Sequence, residues 1–164
     1  MLNGHIQYTN FISPICLFSS QTPISEYFGK KGIILGWGLT MDKKISQHLN
    51  NAQMTFASRR DCINSNLLFG LLPENAYCAN SQGTSQTACS GDSGGGMVLL
   101  RNGKFYLRGL VSVSINEKDK FCDVDQYVAF TDVSFYLKWI WNNTEIVPDL
   151  DERISKSQTV EPLQ

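Results

Sequence analysis

Thr87-Ala88-Cys89-Ser90-Gly91-Asp92-Ser93-Gly94-Gly95-Gly96 runs directly into Met97-Val98-Leu99-Leu100, and the reading of this stretch decides what the rest of the chain is. Small and polar residues ending in three glycines turn the backbone sharply before an apolar strand. A nucleophilic serine needs such a backbone, tight enough to expose its oxygen and shaped so that nearby N–H groups aim at a developing oxyanion. Gly91 lets the chain approach a substrate carbonyl closely, the N–H groups of Gly91 and Ser93 can converge on one point, and Ser93 is then the nucleophile. The same residues also read as a flexible polar loop without chemistry, and composition alone leaves both readings open.

Outward from the loop, short strands and turns dominate. Arg101-Asn102-Gly103-Lys104 predicts a tight hairpin between Leu100 and Phe105, because Asn-Gly tolerates the positive φ angles that such a turn demands. Tyr106 to Ser114 and Tyr127 to Thr131 read as strands on its C-terminal side. On the N-terminal side strands are expected at Phe11 to Leu17, Gly32 to Gly38, Gln53 to Phe56 and Tyr77 to Ala79, with a Ser/Thr/Pro-rich loop near Ser19 to Ser25. Ser58, three positions before Asp61, is an N-cap for a short helix. Val133, Tyr136, Leu137 and Ile140 recur at helical spacing and predict a helix over Val133 to Trp141. Residues 1–144 form the domain, and 145–164, acidic and polar with Pro148 and Pro162, read as a flexible tail.

Composition bounds the function. The 164 residues are 42% hydrophobic and 18% charged, which is globular. Fourteen Lys and Arg against fifteen Asp and Glu leave a net charge of -1, so there is no basic field for nucleic acid or anionic lipid. The longest apolar runs fall far short of the roughly 20 residues that cross a bilayer. Neither nucleic acid nor membrane is an expected partner. There is no metal-ligand spacing and no phosphate-cradling loop, so no cofactor is expected. Five cysteines, at 16, 62, 78, 89 and 122, are an odd number. Asn142-Asn143-Thr144 is a glycosylation sequon near the end of the last predicted helix.

Several landmarks occur together and in order: Phe11-Ile12-Ser13-Pro14-Ile15-Cys16-Leu17, Gly36-Trp37-Gly38, Cys62 with Cys78, Ala88 to Gly95, Gly109-Leu110-Val111-Ser112, and Thr131-Asp132-Val133 leading to Tyr136-Leu137-Lys138-Trp139-Ile140. On these the chain resembles the chymotrypsin-like serine proteases over about residues 7 to 141. The likeness is to the second barrel of that family. Gly96-Met97-Val98 and the Leu107 to Ser112 run look more narrowly like arthropod modular, gastrulation-defective-type proteases of extracellular cascades. The resemblance implies an all-β, antiparallel Greek-key barrel with a C-terminal α-helix, the first barrel being largely missing. It implies disulfides Cys62 with Cys78 and Cys89 with Cys122, an exported protein, and Cys16 as a tether to an upstream light chain or N-terminal barrel. Asp92 matches the aspartate that pairs with the N-terminus created by activation cleavage; without that partner it is expected to stay solvated or to cap local N–H groups, leaving the oxyanion hole unformed.

The resemblance also exposes gaps. The family's base is a histidine oriented by a buried aspartate, both from the first barrel, and only His5 and His48 exist here. His48 reads as a surface residue and His5 lies at a fraying terminus. No secretory signal is legible in Met1-Leu2-Asn3-Gly4-His5. The expected function is therefore a serine endopeptidase domain fragment acting on protein substrates, carrying Ser93 but inactive alone. The alternative is a non-catalytic, protease-like binding or regulatory module. Matched positions assign the substrate pocket to Thr87, Ala88, Ser112, Val113, Ser114 and Val128. Thr87 stands where trypsin-like members carry an aspartate, and Val113, Ser114 and Val128 replace an aromatic and two glycines. A shallow or blocked pocket for small side chains is expected.

Overall fold

The computed structural model describes residues 6–81, 83–115 and 122–144. Six antiparallel strands close on themselves in the order β1-β2-β3-β6-β5-β4. They are β1 (Lys31–Gly36), β2 (Asn50–Ala57), β3 (Ala76–Asn80), β4 (Gly96–Arg101), β5 (Lys104–Ser114) and β6 (Tyr127–Asp132). Alternation selects the inward face of each strand. Ala52, Met54 and Phe56 of β2, Tyr77 and Ala79 of β3, Met97 and Leu99 of β4, and Val128 and Phe130 of β6 share one core. Met54, Met97 and Phe130 have no exposed surface, and each such side chain contributes about 1.5–3 kcal/mol by leaving water. The barrel and C-terminal helix are those the sequence predicts.

Local signals explain the ends of the elements. The β4–β5 hairpin turns at Asn102 and Gly103, both with positive φ. Helix α1 (Arg59–Ser65) opens where Ser58 caps it: the Asp61 amide donates to Ser58 Oγ at 3.1 Å, and that hydroxyl donates to Asp61 Oδ2 at 2.6 Å. The predicted C-terminal helix divides into a 3₁₀ turn, Val133–Tyr136, and helix α2, Leu137–Asn143. Asp132 tightens the first part, because its Oδ1 accepts from both the amide and the hydroxyl of Ser134. The strand expected at Phe11 to Leu17 does not form. Cys16 makes a single parallel bridge to Tyr106 and Phe11 is 97% exposed, since β5 offers this segment an edge only around Phe105 to Leu107, before β6 pairs with it from Gly109 on. The tail predicted at 145–164 lies outside the described residues.

Strand β5 carries two irregularities that the sequence did not announce. Val98 faces Leu107 and Met97 faces Gly109, so Arg108 is an extra residue opposite β4. Val111 faces Phe130 and Val113 faces Ala129, so Ser112 is an extra residue opposite β6. A bulge re-aims the side chain that it carries. Arg108 is fully buried; its guanidinium forms a two-pronged ion pair with Asp132 and donates to the Thr22 carbonyl at 2.9 Å. The rings of Phe18, Tyr27 and Tyr77 surround it, with centroids 5.1–5.9 Å away. Gly109 follows because a Cβ there would lie 2.1 Å from the Tyr77 hydroxyl.

Removing one member of a buried pair leaves the other charged and uncompensated. Asp132→Ala is expected to destabilise the domain by about 3–5 kcal/mol, read as a shift in urea unfolding; a loss below about 1 kcal/mol would show that the pair is not buried in solution. Burial pushes the Tyr77 phenol well above its ordinary value of 10.0, with Arg108 opposing and Asp132 adding to the shift. The folded state thus favours the neutral phenol. Its contribution is intact below about pH 10 and is lost as pH rises toward the higher folded value. Tyr77→Phe should flatten that part of the alkaline stability profile, measured by unfolding at successive pH values.

Candidate active site

The serine loop hangs between β3 and β4, held from three sides. The Cys89–Cys122 disulfide, with Cα atoms 5.0 Å apart, ties it to the chain before β6. Leu39 donates its amide to the Ser90 carbonyl at 2.9 Å, tying it to the segment after β1. Gly94 donates to the Val111 carbonyl at 2.7 Å and Val111 to the Gly95 carbonyl at 2.9 Å, tying it to β5. The second disulfide, Cys62–Cys78, joins α1 to β3. Cys16 belongs to neither.

Inside the loop the hydrogen bonds alternate. The Asp92 amide donates to the Cys89 carbonyl at 3.0 Å and the Gly95 amide to the Asp92 carbonyl at 2.9 Å. The amides of Gly91 and Ser93 have no acceptor among the described residues. Gly91 adopts φ +99° and Gly94 φ +82°, conformations that L side chains rarely reach. The Ser93 side chain is exposed. An exposed hydroxyl beside two amides without acceptors is the arrangement that acyl-transfer chemistry requires of a nucleophile loop.

Asp92 points the other way. Its Oδ1 accepts from the Gly38 amide at 2.8 Å and its Oδ2 from the Cys89 amide at 3.0 Å, so of the two fates expected for this carboxylate it caps local N–H groups. Glycines make the space: a Cβ on Gly36 would sit 2.0 Å from Oδ1, and one on Gly38 2.5 Å from the carboxylate carbon and both its oxygens. Beside Asp92 lies a pocket of about 260 Å³, which Gly36, Gly38, Thr40, Asp42 and Thr87 help to line. The Gly36-Trp37-Gly38 landmark marks this role, but spacing alone does not reveal that both glycines face one carboxylate.

The expected substrate-pocket residues do not all meet in one cavity. Thr87 lines the pocket beside Asp92, and its hydroxyl is buried without a hydrogen-bond partner among the described residues. Ala88 and Val128 are 4% and 1% exposed and pack in the barrel core. Ser112 and Val113 are exposed and Ser114 is half-buried on β5, where Ser114 faces Val128 across the sheet. His48 is exposed: its amide donates to Ser46 Oγ at 3.3 Å, that hydroxyl donates to the His48 carbonyl at 2.6 Å, and among the described residues no hydrogen bond joins it to Ser93. His5 lies outside the described residues. Among the described residues no group of three or more His, Cys, Asp or Glu could hold a metal ion, and no helix is long and apolar enough to cross a membrane.

A strand-closed barrel, a disulfide-braced glycine loop and an exposed serine are consistent with a serine-protease type of domain. The trypsin family model matches residues 1–140, and the chain belongs to that family. It is similar to serine protease gd of Drosophila melanogaster, 30% identical over 85% of this chain and 32% of that protein. It is 34% identical to vitamin K-dependent protein C of Rattus norvegicus over 79% of this chain and 28% of that protein. Likeness to CLIP domain-containing serine protease B4 of Anopheles gambiae, 31% identical, covers 86% of this chain and 39% of that one. The chain thus spans well under half the length of these relatives.

Asp92→Ala would leave the Gly38 and Cys89 amides without acceptors. A loss of about 2 kcal/mol is expected, accompanied by faster hydrogen exchange at those two amides in particular. Unchanged exchange at both would show that the carboxylate does not hold them.

Proposed function

We propose that this chain supplies the nucleophile-bearing lobe of a secreted serine endopeptidase. The observation that carries the reading is the pattern of amides around Ser93: among the described residues Asp92, Gly94 and Gly95 donate within the fold, while Gly91 and Ser93 do not. Ser93 Oγ attacks a peptide carbonyl, and the two open amides receive the oxyanion of the tetrahedral intermediate. The family resemblance assigns the base and its orienting acid to a first barrel, and among the described residues no hydrogen bond joins His48 to Ser93. Alone, the chain is expected to be inactive. Two disulfides favour export, since such bonds persist in oxidising compartments. Cys16, half-buried and bridged to β5 at Tyr106, is the position to which the resemblance assigns the tether of a light chain or first barrel.

Asp92 and its pocket are assigned to activation. The family resemblance implies an ammonium from a newly cut chain end, and a carboxylate already oriented by two amides would receive it without rebuilding the loop. The resemblance assigns the substrate pocket to Thr87, Ala88, Ser112, Val113, Ser114 and Val128; of these, Thr87 lines the pocket beside Asp92, whereas Ala88 and Val128 pack in the core and open no room. With no carboxylate at Thr87, basic side chains have no countercharge, and the proposed preference is for small ones. A pocket so filled also favours the second reading, a non-catalytic module that binds a partner of an extracellular cascade.

A fluorophosphonate probe tests the central point. Labelling should require Ser93, vanish in Ser93→Ala, and run on the order of 10⁴-fold slower than for a complete protease. Labelling as fast as an intact enzyme would sink the claim of an absent base. Joined to a histidine-bearing first barrel, the chain should regain rapid labelling and cleave after small residues; a strong arginine preference in a peptide library would overturn the pocket assignment.

A further inference from the structure

Asn142-Asn143-Thr144 is the single Asn-X-Ser/Thr triplet in the 164 residues, and the serine loop makes no use of it. The triplet closes α2: Asn143 is the last helical residue, and Thr144 is extended at φ -140° and ψ 160°. All three residues are exposed. Asn143 Nδ2 donates to the Trp139 carbonyl at 2.8 Å and Thr144 Oγ1 to the Ile140 carbonyl at 2.7 Å. The Asn142 amide nitrogen has no such acceptor among the described residues. Trp139, one turn earlier on the same face, is 67% exposed, so the barrel leaves this face uncovered. Helix ends fray, and the last turn of a seven-residue helix opens readily to the extended shape in which a transferase takes up its acceptor.

We propose that Asn142 carries an N-linked oligosaccharide. The proposal rests on the secreted reading above, because the donor, a lipid-pyrophosphate-linked oligosaccharide, meets the chain only in the secretory compartment. In the transfer, Asn142 Nδ2 forms a bond to the anomeric carbon and gives up one proton, while the bond from that carbon to the pyrophosphate oxygen breaks and the lipid pyrophosphate leaves with the electron pair. Nothing is oxidised or reduced. The glycan is bulky and polar, and the exposed end of α2 accommodates it without disturbing a buried contact.

The test is to send the full 164-residue chain through the secretory pathway of mammalian cells behind a cleavable leader and to weigh the product. Closure of both disulfides, read by thiol labelling, certifies that the chain folded in the oxidising compartment. The expected result is a heterogeneous mass gain confined to the peptide containing Asn142, removed by peptide N-glycosidase with an aspartate left in place of Asn142. Asn142→Gln and Thr144→Ala should each abolish the gain, and Thr144→Ser should keep it in part. A disulfide-closed chain with unmodified Asn142 overturns the proposal while leaving the secreted reading intact. Glycosylation behind the leader, combined with a native protein confined to a reducing compartment, overturns the secreted reading alone.

Discussion

One carboxylate, held by two backbone amides, fixes where Ser93 stands. Asp92 accepts from Gly38 at the end of the β1 segment and from Cys89 at the start of its own loop. Because the acceptor is charged, each bond is stronger than one between neutral groups. The residue before Ser93 is therefore turned away from it, and Ser93 is left facing solvent. Every other feature of the loop follows this division. Glycines stand where a side chain would collide with the carboxylate, and the disulfide to Cys122 braces the side from which Cys89 donates.

The barrel beneath the loop depends on a second buried charge pair. Arg108 enters the core only because a bulge in β5 turns it inward, where it meets Asp132 at the end of β6 and the Thr22 carbonyl in the segment before β1. Three parts of the chain distant in sequence are thus joined at one guanidinium. Desolvating two charges is costly, and the aromatic rings and Asp132 offset that cost only while the whole set is assembled. The same strand bulges again at Ser112, which brings Ser112 to the surface beside the loop's anchor at Val111. The Ser93 loop and the core are in this sense supported by a single irregular strand.

Much of this was legible beforehand. The Asn102-Gly103 hairpin, the Ser58 cap and the alternating strands are local matters, decided by φ preferences and by side chains within a few residues of the backbone that they bond. The disulfide pairing came from resemblance, and the pairs do form. Other features were illegible for definite reasons. Phe11 to Leu17 has strand-like residues but finds only a short stretch of β5 edge, at Tyr106, to join. Val128 reads as a pocket wall by position and packs as core, because inward-facing residues of β6 share the barrel interior with Ala88. Arg108, an ordinary charged residue in the sequence, gave no sign of burial, since its partner lies 24 positions away.

The sequence by itself determined the turns, the helix cap and the alternating strands, because these rest on glycine placement, side-chain alternation and bonds between near neighbours; the kind of barrel was legible through resemblance. Only the tertiary structure decided that Asp92 grips Gly38 and Cys89, that Arg108 is buried on Asp132, and that the amides of Gly91 and Ser93 meet no acceptor among the described residues. Those outcomes depend on which distant groups meet when the barrel closes, and on the room that a missing Cβ leaves at the point of contact.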